Sequence, residues 1–188
     1  MSETKKVALC GGSFDPPHIA HVLTVAYGLS ACPVDEVWML PVWRHAFDKA
    51  LTSYEHRRNM LSLALEPFGS RVSICDVERE RGGVSRTIDT VRLLMQRHPE
   101  YRFSLLMGTD LFAERDRWKA FDELERLVDM HVLGRSGHPD PSEVPVGPHL
   151  PAVSSTDVRS RVRNGGSLHG LVPLAVARYI ERHALYRS

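Results

Sequence analysis

The sequence predicts a single α/β domain: a doubly wound parallel sheet with helices on both faces. Short apolar runs alternate with amphipathic helical stretches from end to end, the pattern of repeated strand–helix units. The first apolar run gives way to a glycine turn and then a helix start. A chain of 188 residues that is 43% hydrophobic can fill one core.

The elements follow in order. Val7 to Cys10 reads as a short buried strand. A helix from about His18 to Ala31 follows, with Asp15 as N-cap and Pro16 and Pro17 in a first turn where a missing N–H costs little. Val34 to Leu40 is a second strand. Ser53 to Leu65 is a helix that turns Met60, Leu61, Ala64 and Leu65 inward. Arg71 to Cys75 is the third strand. From about Thr87 to His98, Ile88, Val91, Leu94 and Met95 form one helical stripe that stops before Pro99. Phe103 to Met107 and Met130 to Leu133 are the fourth and fifth strands, with a helix ending near Leu127 between them. Residues 135–151 hold many prolines and no periodicity, so they read as a surface loop. Helices then open at Ser154 and run from Leu171 to Tyr186. The result is a Rossmann-like arrangement, in which ligands bind beyond the carboxyl ends of the strands.

A formal charge of +1 gives no global attraction for nucleic acid or an anionic membrane, so any affinity for phosphate must be built locally. No apolar run approaches a membrane span, and the N-terminal run is too short for a signal peptide. Cys10, Cys32 and Cys75 sit in apolar contexts with no C-x-x-C pair, the usage of reduced thiols in a cytoplasmic protein.

Two stretches carry chemistry. In Gly11-Gly-Ser-Phe-Asp-Pro-Pro-His-Ile-Ala-His21, the glycines permit a tight turn and close approach to a ligand. His18 and His21 lie on one helix face at the positive end of its dipole, which suits phosphate. A zinc site would need a third ligand, and no suitably spaced one follows. In Ser154-Ser-Thr-Asp-Val-Arg159, Ser154 and Asp157 approximate a capping box. Ser155, Thr156 and the free N–H groups of that turn suit phosphate oxygens, and Arg159 adds a bidentate fork.

The first stretch resembles the nucleotidyltransferase signature G-x-F-D-P-x-H-x-G-H, met by Gly12, Phe14, Asp15, Pro16, His18 and His21, with Ala20 in place of its second glycine. The second resembles I-S-S-T-x-I-R of the pyridine-nucleotide (nicotinate or nicotinamide mononucleotide) adenylyltransferases, with Val153 and Val158 for the isoleucines. Phe47-x-Lys49, Glu55-His56-Arg57-Arg58-x-Met60, Asp76-x-Glu78, Arg81-x-Gly83, Thr87-x-Asp89-Thr90, Gly108-Thr109-Asp110, Trp118 and the stretch Tyr179 to Tyr186 extend the likeness over most of the chain.

That resemblance implies adenylyl transfer from ATP to nicotinate mononucleotide, giving deamido-NAD and pyrophosphate. The alternatives are the amidated mononucleotide, another phosphorylated acceptor, or a nucleotide-binding protein without catalysis. It implies an ATP site from Gly11, Gly12, Ser13, Phe14, His18, His21, Gly108, Asp110, Ser155, Thr156 and Arg159, completed by the helical part from about 153 to 188. It implies an acceptor site from Arg44, Lys49, Arg86, Thr87, Trp118 and Arg135. His18, His21, Lys49 and Arg159 form the implied catalytic set, with magnesium accompanying ATP and no dedicated metal ligand. Asp110 suits ribose hydroxyls or an N-cap, and Trp118 suits a pyridine ring or the core. The departure is Arg86, where bacterial members usually carry tyrosine. It can stack on the ring, pair with its carboxylate, mark another acceptor, or lie exposed at the helix start.

Overall fold

A computed structural model describes residues 4–44 and 50–187. Six strands form one sheet in the order β3-β2-β1-β4-β5-β6, and every neighbouring pair is parallel. They are β1 (Lys6–Gly12), β2 (Glu36–Pro41), β3 (Val72–Ile74), β4 (Arg102–Gly108), β5 (Asp129–Arg135) and β6 (Val146–Leu150). The helices are α1 (Ile19–Ala31), α2 (Tyr54–Leu65), α3 (Val77–Arg81), α4 (Thr87–Arg97), α5 (Thr109–Ala113), α6 (Phe121–Leu127), α7 (Ser155–Arg163) and α8 (Leu174–Arg182).

Strand alternation divides the core between the two faces of the sheet. Ala8, Cys10, Val37, Met39, Leu106 and Leu133 meet α1, α2, α7 and α8 through Val25, Met60, Leu61, Val158, Val176 and Ile180. On the other face, Val7, Leu9, Phe103, Leu105, Met107 and Val132 meet α4, α5 and α6 through Ile88, Val91, Leu94, Phe112 and Leu124. The C-terminal helices thus share the core of the first strand. Chain order reverses between β1 and β4, so the carboxyl ends of these neighbours open the crevice where such folds bind ligands.

Three expectations need correction. The stretch 135–151 is not loop throughout: Val146–Leu150 is a sixth strand at the sheet edge. Gly147 and Pro148 hid it, because an edge strand tolerates a proline that a central strand would not. Asp15 does not cap α1: the N-cap is His18, and the prolines precede the helix instead of opening it. The C-terminal helix is shorter than its apolar pattern, running from Leu174 to Arg182. Among the described residues, no helix is long and apolar enough to cross a membrane.

Candidate active site

The glycine loop leaves β1 at Gly12 and turns back through Phe14, which adopts a left-handed backbone at φ 48° and is fully buried. Its ring lies so close to Gly12 that a Cβ there would sit 2.9 Å from it, so the loop requires glycine. Phe14 in turn meets the His21 ring edge-on at 4.9 Å.

His18 and His21 stack with ring centroids 3.7 Å apart. The His18 N–H donates to His21 Nδ1 at 3.1 Å, which makes His21 Nδ1 an acceptor and leaves Nε2 as the proton-bearing nitrogen of the neutral ring. Burial, with the Arg135 charge second, pushes the His18 imidazole down to about 3. His21 is held well below its ordinary value by burial, then by His18 and Arg135. Both rings are therefore neutral at physiological pH. His18 Nδ1 is buried without a partner among the described residues, an unsatisfied polar atom at the positive end of a helix.

α7 brings the second motif onto the first. Ser154 caps it: the Asp157 N–H donates to Ser154 Oγ at 3.1 Å, while the Ser154 N–H and O–H both donate to the Asp157 carboxylate. Arg159 donates to the Asp15 carbonyl at 2.6 Å and to Thr156 Oγ1 at 3.2 Å. The Ser155 hydroxyl donates to the Pro16 carbonyl at 2.9 Å, so that proton ties two loops together instead of facing a ligand. Its backbone N–H, in the first turn of α7, remains suited to an anion.

Gly108 ends β4, and a Cβ there would collide with the Asp110 carboxylate and the Arg135 side chain. Gly108, not Asp110, caps α5. The Asp110 carboxylate faces Arg135 Nε at 3.7 Å. Arg135 also donates to the Val153 carbonyl at 3.0 Å, and its backbone N–H to buried Thr109 Oγ1 at 2.9 Å. These contacts place Arg135 with Asp110 and α7, on the side of the histidines.

A cleft of about 330 Å³ adjoins the glycine loop. Gly11, Gly12, Ser13, Arg86, Thr87 and Trp118 are among its walls, but Arg135 is not. Trp118 is half-buried and meets Phe121 at 5.9 Å nearly at right angles, so it both anchors α6 and offers a surface to the cleft. Arg86 is exposed at the N-cap of α4. Arg44 is exposed, its carbonyl accepting from the Ser85 N–H at 2.9 Å. Lys49 lies outside the described residues.

Two supports went unread in the sequence. The Asp15 carboxylate accepts from the Thr52 N–H at 3.2 Å and from the Tyr186 hydroxyl at 2.7 Å, which joins the first motif to the last residues of the fold. Arg57 is 1% exposed and donates to three backbone carbonyls. The signal was present: Arg57 stands three, four and seven residues before Met60, Leu61 and Ala64, on the inward face of its helix.

A family model described as cytidylyltransferase-like matches residues 9–161. A probable nicotinate-nucleotide adenylyltransferase of Anaeromyxobacter dehalogenans is 43% identical over 191 aligned positions, with both chains fully covered. The chain belongs to the nicotinate-nucleotide adenylyltransferase family. Another relative of that name, from Myxococcus xanthus, is 38% identical and covers 99% of this chain and 97% of its own. In fold, the chain is similar to the Plasmodium falciparum nicotinic acid mononucleotide adenylyltransferase complexed with NaAD, at TM-score 0.84 with 97% of each chain covered and 21% identity.

Proposed function

We propose that this member of the family joins ATP and nicotinate mononucleotide to give deamido-NAD and pyrophosphate. The observation that carries the reading is the convergence of two stacked histidines, the N-terminus of α7 and Arg159 on the glycine loop, whose Gly11, Gly12 and Ser13 line the Trp118 cleft. This is equipment for a polyanion next to a pocket for a ring, with no side chain among the described residues placed as a nucleophile.

The acceptor phosphate is already an anion, so it needs alignment rather than a strong base. One of its oxygens bonds to the α-phosphorus of ATP as the bond to the bridging oxygen of pyrophosphate breaks, and the electron pair leaves with pyrophosphate. No proton need move in that step. His18 and His21 offer ring N–H groups to charge that builds on the α-phosphoryl oxygens. Thr156, Arg159 and the first N–H groups of α7 hold the β- and γ-phosphates. Asp110 takes ribose hydroxyls, and its partner Arg135 belongs on this nucleotide side. Trp118 faces the pyridine ring, and Arg86 and Thr87 face its carboxylate edge. Arg44 and Lys49 neutralise the acceptor phosphate.

We propose magnesium as the counter-ion of ATP, held by phosphate oxygens and water. Among the described residues no group of three His, Cys, Asp or Glu could hold an ion, and the Asp15 carboxylate is engaged by Thr52 and Tyr186. The three free cysteines fit a cytoplasmic enzyme.

Pyrophosphate release, measured with ATP, magnesium and either the acid or the amide mononucleotide, tests the reading. Turnover with the acid form that is lost in His18→Ala supports it. ATP binding without turnover on either acceptor overturns it.

A further inference from the structure

Arg57 carries a buried cation that no step of adenylyl transfer uses. Its three contacts reach three different stretches of backbone. Nε donates to the Thr52 carbonyl at 2.9 Å, one amine to the Ser13 carbonyl at 2.7 Å, and the other to the Val42 carbonyl at 2.7 Å. Ser13 belongs to the glycine loop after β1, Val42 follows β2, and Thr52 leads into α2. Ser13 and Val42 both line the cleft beside Trp118. The same loops are also tied directly, since the Val42 N–H donates to the Gly12 carbonyl at 3.0 Å. Thr52 is held on both sides, by Arg57 at its carbonyl and by the Asp15 carboxylate at its N–H.

A planar guanidinium suits this task because its donors diverge in one plane at fixed angles. Three carbonyls around it are held at a set spacing, which an ammonium on a flexible stem cannot reproduce. Its charge is buried among neutral oxygens; Asp15 and Glu78 are the carboxylates near enough to steady it, and burial lowers its affinity for the proton.

We propose that Arg57 is a positioning residue for adenylyl transfer. It fixes the glycine loop, which runs from the Trp118 cleft to His18 and His21, against the Val42 wall of that cleft. Releasing it would leave each substrate its own binding groups but lose the in-line alignment between them. This rests on the adenylyl-transfer reading above.

The test compares wild type, Arg57→Lys and Arg57→Gln, assayed well below each variant's melting temperature and scaled to folded protein. For Arg57→Gln, kcat is expected to fall about 100-fold, the order that ångström-scale misalignment costs. KM for both substrates and the Kd of ATP are expected to stay within about threefold. Arg57→Lys, which keeps the charge but can meet fewer of the three carbonyls, should recover about tenfold of that loss. Unchanged kcat per folded molecule in both variants overturns the proposal, whatever happens to their melting temperatures. A loss that appears in KM alone also overturns it, as does failure of both variants to fold, because each assigns Arg57 a different role. A wild-type enzyme silent on both mononucleotides would instead sink the adenylyl-transfer reading, and the wild-type arm shows which has failed.

Discussion

His18 and Arg86 both stand at the N-cap of a helix, yet their surroundings differ. His18 is 4% exposed, stacked on His21, with its backbone N–H and ring environment set by neighbours from α1 and the glycine loop. Arg86 is exposed, and its only described ties are through its carbonyl, which accepts from the N–H and hydroxyl of Thr90. The proposed phosphate side is therefore made of packed histidines, a helix end and an Arg159 already held by Asp15 and Thr156, and its geometry exists before a ligand arrives. The proposed acceptor side relies on a half-buried tryptophan and the exposed arginines Arg44 and Arg86, whose geometry the ligand must help to set. Preorganised groups act mainly on the chemical step, whereas mobile ones act on binding and choice of substrate.

Mutation should separate the two sides on those lines. His18→Ala is expected to lower kcat by about 10²- to 10³-fold while KM for the mononucleotide changes little, since one donor at a charged transition state is worth about 3–4 kcal/mol. A comparable loss in KM would break the comparison. The same burial should register in stability. Both histidines have folded-state values below their unfolded value, so the unfolded chain takes up protons first as pH falls. The stability contributed by the neutral rings is complete above about pH 6.5 and declines as pH falls below it, for His18 toward about pH 3, by up to about 1.4 kcal/mol per pH unit for each histidine. Chemical denaturation across that range, with His18→Asn flattening the slope, checks it.

Arg159→Lys should come next. Losing the fork that spans Asp15 and Thr156 should raise KM for ATP by about 10- to 30-fold, because a lysine cannot hold the loop and a phosphate together. Trp118→Ala should raise KM for the mononucleotide about tenfold, the value of one aromatic stacking contact, with kcat less affected. The smallest effect is assigned to Arg86→Ala, a fewfold loss of preference for the acid over the amide mononucleotide, since an exposed ion pair is worth under about 1 kcal/mol. A large loss there would mean that the acceptor side is as rigid as the phosphate side.

Much of this was legible in the chain. The alternation of apolar runs located five of the six strands, and the two phosphate motifs stood out because helix starts, glycine turns and caps are local chemistry. The sixth strand was not legible, since Val146–Leu150 owes its pairing to the neighbouring β5 and not to its own pattern. Asp15 shows the same limit from the other side. Its position before two prolines matches a cap, but its carboxylate binds Thr52 and Tyr186, residues 37 and 171 positions away.

By itself the sequence determined the doubly wound class, the two helix starts suited to phosphate, and the residue types able to neutralise it, because each depends on neighbours within a few positions. Tertiary structure decided which groups remain free to act. It tied the Ser155 hydroxyl to Pro16, moved Arg135 to the side of Asp110, and buried Arg57 among three loops. Those outcomes turn on distances between segments far apart in the chain, and only the folded sheet sets them.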